Sequence, residues 1–260
     1  YPPLIFLGIG AGLLCYPADW HWNLLGIMLL VMADICDSAD GQLARMTKQF
    51  SRLGRILDGA SGDIWFVCIY VSICLRLTPD WGWTVWALAA AAGFCHSKQA
   101  ALADYYRQFH LYFLKGKEGS ELDSTGPLRE AYRELSWSGD FFKKLTALVY
   151  LNYTAQQEAV TPQMQHLRRA LKERYGDDVP QDFRDAFRLK SLPMMKYTNM
   201  LSFNTRTIAM FISVIIRIPW LYFVFELVVL NSLLIYMIMR HENICKKLTA
   251  DLQAGKYDGK

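Results

Sequence analysis

Long apolar runs, separated by short turns, occupy both flanks of the chain. They predict six membrane helices, over residues 3–17, 22–46, 52–76, 82–107, 202–218 and 220–240. Helix breakers such as Pro17, Pro79 and Pro219 stand between consecutive runs. A soluble helical protein with amphipathic faces is the alternative. Residues 81–97 and 227–239 contain no Asp, Glu, Lys or Arg, which favours membrane spans.

The middle of the chain, residues 108–200, differs in composition from its flanks. Residues 101–200 carry 28 of the 52 charged side chains, and apolar residues such as Leu128 and Tyr132 recur there at helical spacing. We expect about four short helices that form a water-exposed insertion. The predicted fold is therefore all-α: a six-helix transmembrane bundle with a helical cytoplasmic insertion between helices 4 and 5. Its three parts are residues 1–107, 108–200 and 201–260.

The placement of basic residues predicts how the helices cross the membrane. Four of them crowd the turn between the second and third helices: Arg45, Lys48, Arg52 and Arg55. The turns at the opposite ends of the helices hold only Arg76 and Arg217. Because Lys and Arg are enriched on the cytoplasmic side of membrane proteins, the 46–52 turn, the insertion and the C-terminus are predicted to be cytoplasmic.

The composition of the chain excludes several other classes of protein. The chain is 53% hydrophobic, which excludes a disordered protein, and its net charge of +4 is too small to indicate a nucleic-acid partner. The six cysteines form no CxxC pair, so neither a zinc site nor a disulfide framework is indicated. The chain begins at Tyr1 without a methionine, and we therefore expect it to be a fragment of a longer protein.

The pattern that indicates chemistry lies at the end of the second helix. At about 100° per residue, Asp37 and Asp40 are about 60° apart, and Gly41 and Ala44 lie on the same face. Asp58 begins the antiparallel neighbour across a short turn, where it can meet the first two carboxylates at one membrane depth. Three converging carboxylates suit a hard divalent cation such as Mg²⁺ or Mn²⁺. The two small residues leave space for a ligand beside the metal.

Arg45 adds a fixed positive charge and a planar set of donors for phosphate, so the pattern predicts a diphosphate site. The full spacing Asp-x-x-Asp-Gly-x-x-Ala-Arg-x8-Gly-x3-Asp resembles the signature of the CDP-alcohol phosphatidyltransferase family. The matching residues are Asp37, Asp40, Gly41, Ala44, Arg45, Gly54 and Asp58. The close resemblance covers about 25 residues, and the 108–200 insertion is not part of the family pattern.

The resemblance implies a six-helix enzyme of the bacterial inner membrane, a homodimer with two divalent ions per site. Such an enzyme transfers a phosphatidyl group from CDP-diacylglycerol to a small alcohol and releases CMP. By position, Asp37, Asp40 and Asp58 correspond to metal ligands. Contacts to the CDP-lipid donor fall on Gly41, Ala44, Arg45 and Ser51.

One departure from the family pattern concerns the catalytic base. The family's fourth aspartate lies four residues after the third and both binds metal and acts as the base, but here that position is Gly62 and the acid follows at Asp63. On a regular helix Asp63 points about 140° away from Asp58. We expect a one-residue π-bulge to return Asp63 to the site as base and fourth metal ligand.

A second candidate site opens the fifth helix at Asn204-Thr205-Arg206. In the family this helix start contributes to acceptor recognition, and an arginine there resembles members that accept inositol phosphate. Arg206 is therefore the candidate contact for an inositol phosphate or inositol acceptor. Plain anchoring of a basic residue at the cytoplasmic interface is the alternative.

Three other functions stay open at this point. A related enzyme could transfer a phospho-head-group from a CDP-alcohol to a lipid such as diacylglycerol or ceramide. A catalytically impaired relative that binds nucleotide-linked lipid is compatible with Gly62. An intramembrane prenyltransferase also holds Mg-diphosphate on Asp-rich helices, but gives no role to the Gly-x-x-Ala-Arg portion.

Overall fold

The computed structural model of the protein describes residues 2–47, 52–116, 122–176 and 178–257; the side chains of 2–4, 44, 45, 47 and 52–61 are outside that description. These residues form helices and no strand, which confirms the all-α prediction. The helices are α1 (Pro2–Leu13), α2 (Trp20–Thr47), α3 (Arg52–Trp81), α4 (Thr84–Lys115), α5 (Thr125–Glu134), α6 (Phe141–Val160), α7 (Pro162–Tyr175), α8 (Gln181–Ser191), α9 (Met195–Met200), α10 (Phe203–Ile215), α11 (Trp220–Val224) and α12 (Asn231–Gln253). A 3₁₀ turn precedes α9, and a π-helical segment, Phe225–Leu230, joins α11 to α12.

Two helical stretches in the described part of the chain are long and apolar enough to cross a membrane. They are Gly62–Trp81 within α3 and Trp220–Gln253, which runs from α11 through α12. The six-span bundle and the cytoplasmic position of the insertion stay predictions. Three helices extend well beyond their predicted ends: α3 continues through Pro79 to Trp81, α4 continues to Lys115, and α12 continues to Gln253.

The helices group into two compact units. The first comprises Tyr1–Ser97 and Phe203–Leu230, and the second comprises Lys98–Ser202 and Asn231–Lys260. Helix α4 therefore contributes its first part to one unit and its second part to the other. The predicted division at residues 107 and 200 is a different partition of the same chain and stays a prediction.

In the first unit, α1 packs closely against α2 and α3 because its contact face is made of small residues. A Cβ placed on Gly12 would lie 2.7 Å from Cys68 Cβ and 3.0 Å from the Cys68 carbonyl carbon. A Cβ placed on Gly26 of α2 would lie 3.0 Å from the Ala11 carbonyl oxygen. Small residues that allow this close approach are typical of helix packing in membranes, where dispersion contacts replace the hydrophobic effect.

This close approach predicts an asymmetric response to two identical substitutions on α1. We expect Gly12→Ala to lower the free energy of unfolding by about 1–3 kcal/mol, because the new methyl group meets the backbone of α3. Gly10→Ala is the matched control, since its Cβ would meet Leu29 Cδ1 at an ordinary 3.6 Å. Thermal unfolding in detergent measures both. Equal melting temperatures for the two variants would contradict the packing described here.

Three turns meet at one end of the first unit. The turn between α1 and α2 is held by Asn23, whose side-chain amide donates to the carbonyls of Leu14 and Pro17 at 2.8 and 2.9 Å. The turn between α3 and α4 uses Gly82 with a positive φ of 58°. Near the third turn, Trp220 at the start of α11 packs on Trp81 with ring centroids 5.5 Å apart. The three turns therefore share one end of the unit, away from Asp37 and Asp40.

The second unit has a separate core built on the later part of α4. Its centre is a group of interlocking rings from α4 and α8: Phe109, Phe113, Phe183 and Phe187. Glu242 of α12 accepts hydrogen bonds from the backbone N–H groups of Gln163 and Met164 at 2.7 and 3.3 Å. Since these are the free donors at the start of α7, the carboxylate caps that helix and fixes it to α12.

Candidate functional site

The carboxylates predicted on α2 lie on one uninterrupted helix. Because α2 is continuous from Trp20 to Thr47, Asp37, Asp40 and Gly41 share a face as the sequence predicts. Asp37 and Gly41 are half-buried and Asp40 is exposed. The other predicted donor and metal residues lie outside the described side chains or residues: Ala44, Arg45, Ser51 and Asp58.

The predicted π-bulge in α3 is wrong. The helix is α-helical throughout Arg52–Trp81, so the backbone keeps its regular rotation between Asp58 and Asp63. On that regular helix position 62, and not position 63, shares a face with Asp58. The described residues around Gly62 leave space there, since a Cβ built on Gly62 meets no atom within 4 Å. The structure has its π-helix elsewhere, at Phe225–Leu230.

That π-helical segment carries the most strongly buried acid among the described side chains of the first unit. Glu226 is 0% exposed, and Arg206 in the first turns of α10 is 1% exposed. Arg206 Nη1 donates to Glu226 Oε1 and Oε2 at 2.7 and 2.5 Å. Tyr222 Oη donates to Glu226 Oε1 at 2.7 Å. Arg206 and Glu226, which lie 20 residues apart in two apolar runs, therefore form a buried ion pair.

His96 of α4 completes this buried polar cluster. Arg206 Nη1 donates to His96 Nδ1 at 2.9 Å, and Tyr70 Oη lies 3.4 Å from the same nitrogen. A guanidinium can only donate, so a hydrogen bond between the two requires Nδ1 to accept. Glu226 Oε1 lies 3.4 Å from the same nitrogen. Phe66 covers the ring at a centroid distance of 4.5 Å. The histidine orientation is thus fixed by one charged donor and one aromatic neighbour.

Asp63 lies within electrostatic range of this cluster. Its electrostatic partners include His96 on α4 and Arg206 on α10. The structure therefore brings together two predicted site residues, the base Asp63 and the acceptor contact Arg206. It also adds two residues that the sequence analysis did not select, His96 and Glu226. The signal that could have found Glu226 is its charge within a long apolar run, because such a charge needs a partner of opposite sign.

The buried pair predicts a large penalty for removing one partner. We expect Arg206→Met to lower the free energy of unfolding by about 3–5 kcal/mol, because Glu226 would stay buried without its cation. The double variant Arg206→Met/Glu226→Gln should recover most of that loss. Lys143→Met is the matched control, because its pair with Asp140 is exposed at 3.4 Å and contributes under about 1 kcal/mol. Additive effects in the double variant would contradict the pairing.

The site has the donor chemistry for a divalent ion, although no group of three metal-ligating side chains occurs among the side chains that the structure describes. Asp37 and Asp40 supply oxygen ligands on one face, which fits Mg²⁺ or Mn²⁺ better than softer metals. The third predicted ligand, Asp58, lies outside the described side chains. Metal binding at these residues therefore stays a prediction.

The fold and the site define a class of protein: an all-helical chain with a carboxylate-bearing helix face at one end of its first unit. Residues 4–105 match the family model of the CDP-alcohol phosphatidyltransferases, so this part of the chain is similar to that family. The family consists of integral membrane transferases of substituted phosphate groups, which generally depend on divalent metal.

Curated relatives agree with the family match over a shorter stretch. Proteins from Mycobacterium tuberculosis and Mycobacterium bovis, each named "Putative cardiolipin synthase", are 37% identical to the chain over 62 residues. That stretch is 24% of this chain and 30% of each relative, so the chain matches less than a third of their length. No solved structure is significantly similar to the chain.

Proposed function

We propose that the protein transfers the phosphatidyl group of CDP-diacylglycerol to an alcohol acceptor and releases CMP. The observation that supports this most directly is the shared face of Asp37, Asp40 and Gly41 on a continuous α2, inside the segment that matches the family. We assign the protein to the inner membrane of a bacterium, with its site on the cytoplasmic side, as a homodimer.

The residues of α2 and the following turn have different roles in binding the CDP-lipid donor. Asp37, Asp40 and Asp58 are the proposed ligands of two Mg²⁺ or Mn²⁺ ions, with Asp63 as a further ligand. When bound, such ions neutralise the diphosphate charge and favour departure of CMP. The donor contacts are assigned to Gly41, Ala44, Arg45 and Ser51.

Asp63 is the proposed base that takes the proton of the acceptor hydroxyl. Because α3 is a regular helix, no bulge supports this role. It rests on the position of Asp63 beside Arg206 and His96. Arg206 places a positive charge in that neighbourhood.

Arg206 stays the proposed contact for an anionic acceptor such as inositol phosphate. Its ion pair with Glu226 gives it a second possible role, in which it positions Asp63 and does not touch the acceptor. The two roles differ in kinetics. An acceptor contact raises KM for the acceptor when it is weakened, whereas a positioning group lowers kcat for every acceptor.

The name of the mycobacterial relatives favours a second candidate acceptor. Cardiolipin contains two phosphatidyl groups, so a synthase that makes it from CDP-diacylglycerol needs an acceptor that is itself a phospholipid alcohol. For this chain that candidate rests on similarity over 62 residues. Transfer of a head group to diacylglycerol or ceramide, and a binding protein without activity, are the remaining alternatives. The family match argues against a prenyltransferase.

The test is release of CMP from CDP-diacylglycerol by the purified protein with inositol phosphate, inositol, glycerol phosphate and phosphatidylglycerol as separate acceptors. We expect acceptor-dependent CMP release that stops in EDTA and returns with Mg²⁺. CMP release with phosphatidylglycerol alone would show that the acceptor is a lipid and not a soluble alcohol. Acceptor-independent background with all four would favour the binding protein, and undiminished turnover in EDTA would remove the metal assignment.

A further inference from the structure

A cavity of about 180 Å³ lies at the end of the first unit where the three turns meet. Its surface is almost entirely apolar, and the residues that line it are Ala18, Trp20, Asn23, Leu24, Val214, Ile215 and Arg217. Its volume corresponds to about six water molecules, which is enough for a phosphate with part of a glycerol but not for an acyl chain. This end of the unit is opposite to the carboxylates of α2, so the cavity is separate from the proposed transferase site.

Two arginines meet at this end, and no described carboxylate pairs with either. Arg217 lines the cavity, and Arg76 of α3 is close enough for the two cations to repel each other. Arg76 Nη1 donates to the carbonyls of Cys15 and Pro17, each at 3.4 Å, and to Asn23 Oδ1 at 3.2 Å. All three acceptors are neutral, so they orient the guanidinium without cancelling its charge.

Arg217 also has an unfavourable backbone conformation. Its φ of 63° is in the left-handed region. Ile218 N donates to Ser213 O at 2.9 Å and Arg217 N donates to Val214 O at 3.1 Å. This is the helix end at which glycine is usual, because a side chain there is strained. A charged side chain therefore occupies a strained position next to a like charge, and an anion in the cavity would relieve the repulsion.

Tryptophans at the same end indicate the source of such an anion. Trp20 lines the cavity, Trp81 packs on Trp220, and Trp83 lies in the adjacent turn. Indole rings concentrate at the level of lipid head groups in membrane proteins. The anion is thus expected to be presented by the bilayer, with its apolar portion against Leu24 and Ile215.

We propose that this cavity binds the phosphate of an anionic phospholipid at the membrane face opposite to the transferase site. Arg217, which lines the cavity, binds the phosphate oxygens, and Arg76, bonded to the lining residue Asn23, adds a second positive charge. The apolar lining contacts the glycerol portion, and the acyl chains stay in the bilayer. The proposal does not depend on the transferase activity, because none of these residues belongs to that site.

Native mass spectrometry of the detergent-purified protein tests this, with phosphatidylglycerol, phosphatidylcholine and inorganic phosphate as separate probes. We expect phosphatidylglycerol to bind at least about tenfold more tightly than phosphatidylcholine. Arg217→Gly should remove that preference while the lipid-free variant melts at the same or a higher temperature, since glycine relieves the strained φ. Arg217→Lys should keep part of the preference, and Arg169→Gly, a surface arginine of the second unit, should keep all of it.

A cavity-filling variant checks the apolar part of the proposal without changing charge. Leu24→Trp should weaken phosphatidylglycerol binding several-fold and leave both arginines in place. Unchanged lipid preference in Arg217→Gly would overturn the proposal. So would inorganic phosphate that binds as tightly as the lipid, because the site would then take a soluble anion.

Discussion

Asp40→Asn is expected to reduce CMP release by at least about a hundredfold. The substitution replaces a carboxylate by a neutral amide of the same shape, so the α2 face keeps its geometry but loses a charged oxygen ligand. Groups that only orient a metal ligand already change affinity or activity 10–100-fold, and loss of a ligand should exceed that. Activity is measured as CMP formed from CDP-diacylglycerol at saturating Mg²⁺.

Asp34→Asn is the matched control for this prediction. Asp34 lies on the same helix, is half-buried, and precedes Asp37 by one turn, but it is outside the family pattern. We expect it to keep activity within a fewfold of the parent protein. If Asp34→Asn and Asp40→Asn lose the same activity, the loss is caused by the lower negative charge of the helix and not by the removal of a metal ligand. An active Asp40→Asn protein would refute the assigned site.

Asp63→Asn is expected to lower kcat by about 10²–10⁴-fold, the usual contribution of a positioned base. Because α3 is regular, positions 62 and 63 point in different directions, and the effects of substitutions at the two positions can be distinguished. Position 62 shares a face with Asp58, and position 63 is turned about 140° from it. If Asp63 nevertheless acts as the base, its carboxylate must reach the acceptor from the side of Arg206 and His96.

Gly62→Asp distinguishes the two possibilities for the base. The described surroundings leave space for a side chain at Gly62, so the substitution restores the family's fourth aspartate with little steric cost. In an Asp63→Asn background we expect Gly62→Asp to recover activity at least about tenfold, with Gly62→Asn as the uncharged control. A fully active Asp63→Asn protein would exclude the base role. A large gain from Gly62→Asp in the parent protein would show that this chain lacks an effective base.

The parts of the site that could be predicted are those encoded at short range. Asp37, Asp40 and Gly41 lie within five consecutive positions, so helical periodicity alone places them on one face. The pair of Arg206 and Glu226 could not be predicted in the same way, because it depends on how α10 packs against the π-helical segment. His96 is an isolated histidine in an apolar run, and only its contact with Arg206 distinguishes it from a packing residue.

Helix boundaries show the same dependence on context. Proline usually ends a helix, yet α3 continues through Pro79 to Trp81. The mispredicted bulge has a similar cause. Flexible residues such as Gly59 and Gly62 allow a π-bulge, but they do not make it more stable than a regular α-helix. The π-helix formed instead at Phe225–Leu230, where it accompanies burial of Glu226.

The division of the first unit has a consequence for the order in which the protein is made. Its two segments, Tyr1–Ser97 and Phe203–Leu230, are separated in synthesis by about 100 residues of the second unit. At about 5–20 residues per second, the ribosome needs about 5–20 s to cross that distance. During this interval His96 has been synthesised but Arg206 and Glu226 have not. The nascent α1–α4 segment must therefore remain competent to receive α10 and α11 later.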